Sequence, residues 1–323
     1  MFRKSFFALL ILSLLLTACG AASTPAPAEA QPTPTEAQAT ETPAAAPLTF
    51  TDGLGRPVSL AAPAQRVVSL APSNTEILFA VGAGAQVVGR DMFSDYPAEA
   101  LAIQDIGGSM GEYNLEAIVA LQPDLVLAGG INPPELVAAL EELGLTVYFL
   151  PNPLTLEEMY LNLETVAALT GHEAEAAALS DSLRARVASV DEKIASVTER
   201  PTVYYELDAT DPSRPYTAGA GTFVDLLISR AGGVNVAGEI ETPWVQLDIE
   251  TLLVYDPDLI LLGDAAWGES AETVAARPGW EALSAVQNGA IYPFDDNLVS
   301  RPGPRLVDGL EALARLLHPA LFP

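Results

Sequence analysis

The sequence predicts an α/β fold of two lobes, each a mostly parallel sheet covered by helices, joined by a long α-helix. Three observations carry that expectation. Short runs rich in Val, Ile and Leu alternate with amphipathic segments, the pattern of strands buried on both faces by crossover helices. A phrase recurs: LEAIVALQPDLVLAGG (Leu115–Gly130) and IETLLVYDPDLILLGD (Ile249–Asp264) align without a gap at an offset of 134 residues, Glu116 on Glu250, Pro123 on Pro257, Asp124 on Asp258. A repeated phrase of this length signals a repeated unit. Between the copies, Thr155–Val197 contains no proline and one glycine, Gly171, as a helical connector should.

Taken in order, residues 1–18 read as a secretory signal. Arg3 and Lys4 precede SFFALLILSLLL, an apolar core too short to span a bilayer. The signal ends in LTAC, which resembles the lipobox of bacterial lipoproteins; the resemblance implies cleavage before Cys19 and acylation of that residue. Residues 19–47 are then a lipidated tether. Beyond Cys19 they hold only Gly, Ala, Ser, Thr, Pro, Glu and Gln, a composition that packs no core. At about 3.1 Å per residue the tether reaches on the order of 80 Å when extended.

Residues 48–154 form the predicted N-terminal lobe. Val67–Ala71 reads as a strand. SNTEILFAVGAG reads as a helix with Ser73 and Glu76 as a capping box. QVVG, DLVLAGG and LTVYFL read as strands, and PPELVAALEELG as a helix opened by proline and closed by Gly144. Residues 155–198 form the connector. In it Leu179, Leu183, Val187, Val190 and Ile194 make one apolar stripe on a helix of about seven turns. Residues 199–323 form the C-terminal lobe, with PTVYYEL, DPDLILLGD and AIYPFDD as strands and GTFVDLLISRAGG as a helix. A second match, ILFAVGAGAQVVG on LLISRAGGVNVAG at an offset of 149, places fifteen extra residues in the first lobe. Asp225, like Glu76, follows a Thr or Ser by three residues and reads as part of a cap.

Half of the residues are hydrophobic, enough for a sizeable core, and the formal net charge is −27. That charge argues against nucleic acid, which needs a basic face. One cysteine excludes an internal disulfide framework and a zinc-thiolate site. The two histidines, His172 and His318, fall in no triad or metalloprotease motif, so neither an enzyme nor a metal site is expected.

RVVSLAPSNTEILFAVGAG, FSDYP, NLEAIVALQPDLVLA, TPW and RPGPRLVDGLEALARLLHP, in that order, resemble the substrate-binding lipoproteins of iron-siderophore, haem and cobalamin importers, nearest the cobalamin-binding branch. The resemblance covers Leu48 to the C-terminus. It implies two Rossmann-like lobes joined by a long helix (class III), a ligand held between them, and no cofactor. It further implies an ABC permease dimer with its ATPase subunits as partner and a monomer lipid-anchored at Cys19 on the outer face of the cell membrane. In that family a glutamate on each lobe docks onto permease arginines, and Glu116 and Glu250 stand at the matching positions. Asn114 and Asp248 precede them as helix caps, and a carboxylate in a first turn also gains about 0.3–1 kcal/mol from the helix dipole.

Ligands of open α/β sheets bind beyond the carboxyl ends of the strands. The loops there supply the candidates Phe93, Tyr96, Met110, Tyr113, Asn132, Tyr216, Trp244, Trp267, Asp296, Asn297 and Arg301. Met110 and Phe93 stand where the cobalamin-binding relative carries a tryptophan and a tyrosine, and an aspartate of that relative's site falls near Asp296 or Asn297. A ferric catecholate would need several basic groups, and these loops hold few; the aromatic set suits a corrinoid or a neutral hydroxamate better. A metal-ion carrier, a sensor and an adhesin on the same fold are the alternatives.

Overall fold

The computed structural model describes residues 47–109 and 111–322. The signal, the tether with Cys19, and Met110 lie outside the described residues. An antiparallel hairpin, β1 (Leu48–Thr51) and β2 (Pro57–Leu60), opens the described chain. The first lobe then runs β3 (Val67–Ser69), α1 (Pro72–Ala80), β4 (Val87–Arg90), a small antiparallel pair β5 (Gly107–Ser109) and β6 (Glu112–Tyr113), α2 (Leu115–Ala120), β7 (Leu125–Gly129), α3 (Pro134–Glu142) and β8 (Val147–Leu150). Its sheet is wholly parallel in the order β4-β3-β7-β8. Two helices follow, α4 (Leu156–Thr170) and α5 (Glu173–Ile194).

The second lobe runs β9 (Thr202–Glu206), β10 (Tyr216–Ala218), α6 (Phe223–Arg230), β11 (Val234–Asn235), β12 (Trp244–Gln246), α7 (Ile249–Tyr255), β13 (Leu259–Leu262), α8 (Ala271–Ala275), α9 (Ser284–Gln287) and β14 (Ile291–Pro293). Its sheet is separate and also wholly parallel, in the order β11-β9-β13-β14. Element for element the two sheets share one topology. β10 and β12 form an antiparallel ribbon beside the second, and α10 (Asn297–Ser300) and α11 (Leu306–Leu317) close the chain.

The repeated phrase has a structural job in each lobe. Asn114 Oδ1 caps α2 by accepting from the Ala117 N–H, and Asp248 Oδ1 caps α7 by accepting from Thr251. Each helix is followed by a left-handed residue, Gln122 (φ 47°) and Asp256 (φ 41°), the two non-glycine positions of positive φ among the described residues. The aspartate after the proline then clamps the start of the central strand. Asp124 Oδ2 accepts from the Gln65 and Arg66 N–H groups at 2.8 and 2.9 Å, and Asp258 Oδ2 from Thr202 at 2.8 Å. Cap, turn and clamp fix where the strand enters the sheet.

The lobes share one apolar layer. α4 packs on α1, α5 on α4, α11 on α5, and α6 on α11. The resulting core takes Val67 and Leu127 from the first sheet, Leu183, Val187, Val190 and Ile194 from α5, and Val203 and Leu261 from the second sheet. The opposite faces have separate cores, around Val68, Val126 and Leu140 in one lobe and around Tyr204, Ile260 and Trp280 in the other. A hinge motion would have to shear the shared layer, so close packing holds the lobes at a nearly fixed separation.

Three expectations change. α1 starts at Pro72 with Ala71 as its N-cap and no side-chain cap, so Ser73 and Glu76 form no capping box; the proline takes the first helical position. β3 ends at Ser69 rather than Ala71. The long helix of the connector, which starts after Gly171 (φ 81°) as expected, has 22 residues, about six turns rather than seven.

Candidate functional site

Each sheet has one point where the chain leaves its first strand in opposite directions. In the first lobe it lies between β3 and β7, and in the second between β9 and β13. Such switch points open a crevice at the carboxyl ends of the strands. At the first, Tyr113 Oη donates to the Leu70 carbonyl at 2.7 Å, and Asn132 Nδ2 donates to that carbonyl at 3.2 Å and to Tyr113 Oη at 2.8 Å. Asn132 Oδ1 accepts from the Gly129 N–H. This trio is neutral and closed by hydrogen bonds, and burial, with a smaller push from the Asp91 charge, raises the Tyr113 hydroxyl to about 12. The structure thus brings Tyr113 and Asn132 together.

Phe93 and Tyr96 sit on the loop after β4. Asp91, fully buried, shapes it: its carboxylate accepts from the Phe93 N–H and the Ser94 hydroxyl, and Ser94 continues through Thr75 to Ser69. Burial raises the Asp91 carboxyl. Phe93 is left half exposed at this edge.

Arg301 joins this loop from the other lobe. Its Nη1 donates to Glu76 at 3.0 Å and to Asp95 at 2.7 Å, and its Nη2 to the Phe93 carbonyl at 3.4 Å. Arg305 donates to both oxygens of Glu76 at 2.8 and 2.6 Å and lies over the Tyr96 ring at 4.1 Å. Glu76, read above as a cap, is therefore a buried inter-lobe anchor. Its two arginines bring the carboxyl edges of the sheets together. Arg301, one of the candidates from the sequence, is here paired with two carboxylates.

The second switch point differs in kind. Asp264, separated from the end of β13 by Gly263, is 4% exposed. Its Oδ2 accepts from the Ala209 N–H at 3.0 Å, while its Oδ1 is buried without a partner among the described residues. Burial first, and the charge of Glu206 second, raise its carboxyl to about 7. It lines a cavity of 320 Å³ with Leu207, Asp208, Ala209, Thr210, Trp267 and Glu269. Trp267, 88% exposed, stands at the mouth. Beneath, the buried Glu206 binds Arg277 through two hydrogen bonds of 2.6 and 2.8 Å, and Arg277 also holds Glu269 at 2.7 Å. Burial raises Glu206 despite that partner.

The remaining candidates lie around this edge. Asp296 accepts from the buried Tyr205 hydroxyl at 2.8 Å, and Asn297 donates to Asp295 at 2.9 Å, so both are bonded within the fold. Tyr216 and Trp244, each about half exposed, stand on the paired strands β10 and β12. Sequence reasoning missed Asp264, Asp208, Glu206 and Arg305. For Asp264 a signal existed: the repeat aligns it with Gly130, a carboxylate in one copy against no side chain in the other.

Glu116 and Glu250 are exposed in the first turns of α2 and α7, and among the described residues neither carboxylate has a partner. Apolar surface flanks both: Val119 and Leu143 beside the first; Leu253, Tyr255 and the 83% exposed Val254 beside the second. The histidines are half buried. His172 meets Gln86 and stands against the left-handed Gly82 after α1; His318 meets the Gly232 carbonyl at the equivalent turn after α6. No group of three or more His, Cys, Asp or Glu among the described residues is placed to hold a metal ion.

Comparison with known proteins adds the following. A family model described as periplasmic binding protein matches residues 67–298. The chain is 32% identical over 281 residues to an ABC transporter substrate-binding lipoprotein of Bacillus subtilis (strain 168), covering 85% of this chain and 87% of that one. Among solved structures, the periplasmic vitamin B12 binding protein of Vibrio cholerae superposes with a TM-score of 0.68 at 31% identity, over 80% of this chain and 98% of that one. A periplasmic heme-binding protein from Roseiflexus sp. RS-1 superposes with a TM-score of 0.71 at 28% identity, over 80% and 99%.

Proposed function

We propose, since the chain belongs to the periplasmic binding protein family, that it captures a corrinoid or an iron chelate between its lobes and delivers it to an ABC permease. The observation that carries this reading is the pair of equivalent switch points, set at a fixed separation by the shared helical layer and joined through Glu76, Arg301 and Arg305. Phe93, Tyr113, Trp244 and Trp267 supply flat faces for a large planar or globular ligand, and Asn132 and Asp264 are the polar groups at the centre of each rim. The vitamin B12 and heme named for its structural neighbours are ligands of that kind. The chain is not an enzyme in this reading; it binds and releases.

Presentation follows from the repeat. Glu116 and Glu250 stand at equivalent points of two lobes with one topology, each beside exposed apolar side chains, which gives a roughly two-fold footprint suited to a dimeric permease. The protein acts as a monomer held to the outer face of the membrane by a lipid on Cys19, itself outside the described residues.

Calorimetric titration with cobalamin, cobinamide, heme and a ferric hydroxamate tests the capture step: at least one should bind, and silence from all four sinks the reading. Glu116→Ala with Glu250→Ala should abolish uptake into vesicles carrying the cognate importer while leaving that affinity unchanged.

A further inference from the structure

We propose that the carboxyl edge of the second lobe selects for a ligand that presents N–H donors and carries no net negative charge, with the buried Asp264 carboxylate as the group that reads it. This rests on the cleft reading above and narrows its ligand class. Position is the first support. Asp264 occupies the place after β13 that Gly130 occupies after β7, so one switch point carries a carboxylate where the other carries no side chain. Satisfaction is the second. At the first rim Tyr113, Asn132 and the Leu70 carbonyl answer one another. At the second, Asp264 Oδ1 is buried with no donor among the described residues, although Oδ2 has one in the Ala209 N–H. A buried polar oxygen without a donor is unfavourable, and an N–H brought by a ligand relieves it.

The surroundings decide the sign of charge. The 320 Å³ cavity is walled by Asp208, Asp264 and Glu269, with Thr210, Leu207 and Trp267 completing it. Arg277, the guanidinium against this group, is held by Glu206 and Glu269 and is 6% exposed at its side chain, so it offers no charge to a ligand anion. A carboxylate or catecholate entering here would face like charge in a partly desolvated site. A primary carboxamide or an ammonium group would instead donate to Asp264 while its apolar body lies on Trp267.

Two matched pairs of probes test this with the purified chain at about pH 8, where aspartates are ionised. One pair is cobinamide with its side-chain carboxamides intact and the same corrinoid after hydrolysis of those amides to carboxylates. The other is the cationic trihydroxamate ferrioxamine B and an anionic ferric tris-catecholate. The donor-bearing member of whichever pair binds should be favoured by about tenfold or more. Asp264→Asn and Asp208→Asn should each cut that preference by about threefold or more. Asp208 is exposed, so its variant should keep the wild-type thermal midpoint. Equal binding of the two members, or a preference that survives both substitutions, overturns the inference alone. If neither pair binds the wild-type chain, the capture reading fails and this inference fails with it.

Discussion

The two carboxyl edges share a topology and differ in chemistry. At the first, a phenol, an amide and a carbonyl form a closed neutral set at Tyr113, Asn132 and Leu70. At the second, a buried ion pair, Glu206 with Arg277, underlies an aspartate with an unanswered oxygen. The insertions differ as well. Val67 pairs with Leu125 as Val203 pairs with Leu259, an offset of 136 between the central strands; it rises to 149 across the following helices and returns to 134 at the repeated phrase. The second lobe therefore lengthens the chain after its central strand, where Asp208 and β10 lie. The first lengthens it after β4, where Phe93 and Tyr96 lie. Duplication set the frame, and unequal loops gave the rims separate tasks: the charges of the first, Glu76, Asp95, Arg301 and Arg305, are paired across the lobes, and the second keeps an aspartate oxygen unanswered among the described residues.

The largest consequence of that difference concerns stability. Arg277→Ala leaves Glu206 buried without its guanidinium and should cost about 3–5 kcal/mol, because an isolated buried carboxylate is far worse than a paired one. Tyr113→Phe, within the neutral trio of the first rim, removes one donor and should cost about 1 kcal/mol. Urea denaturation of the two variants measures both. Comparable losses would show that the rims are held by similar energies and would break the comparison.

A second consequence appears as pH is varied. With its carboxyl raised to about 7, Asp264 keeps a proton in the folded chain at pH values where an unfolded aspartate has lost it. The folded state thus binds more protons between roughly pH 4 and 7, so stability falls as pH rises through that window. Burial moves Glu206, Asp91 and Asp296 the same way. Tyr113, raised to about 12, contributes nothing there. The wild-type thermal midpoint should drop by a few degrees between about pH 5.5 and 8, and by less in Asp264→Asn. An identical drop in the variant would show that Asp264 ionises normally.

Much of the frame was legible in the sequence because it rests on local signals. The Asn114 and Asp248 caps, the Pro-Asp-Leu strands and the stripe from Leu183 to Ile194 are each set by neighbours along the chain. The site was less legible because its contacts join residues far apart. Glu76 follows Ser73 at cap spacing, and only the meeting of α1 with residues 301–305, more than 200 positions later, shows it to be an anchor. The pairing of Arg301 was hidden for the same reason, since its partners Glu76 and Asp95 belong to the other lobe. Asp264 was hidden differently: in the sequence it ends a strand phrase, and its burial and its empty oxygen depend on the packing of residues 207–210 against it.

The smallest predicted effect separates what duplication preserved from what each lobe later adapted. Gln122 and Asp256 occupy the same left-handed turn, 134 residues apart, and neither is glycine. A side chain at that φ costs roughly 1 kcal/mol against glycine, which adopts the conformation without strain. The Gln122 side chain is exposed and makes no hydrogen bond within the described residues, so Gln122→Gly should stabilise the chain by about 0.5–1 kcal/mol. Asp256 is different. Its carboxylate accepts from the Ser284 N–H and hydroxyl at 2.7 Å each, fastening α7 to the start of α9. Those bonds hold its carboxyl below the ordinary range. Asp256→Gly relieves the same strain but removes that fastening, so it should not stabilise and should loosen amide protection around Ser284. Parallel urea denaturation and hydrogen exchange would decide: equal stabilisation by both glycines would mean that the Asp256 bonds contribute nothing, and that the two turns are interchangeable.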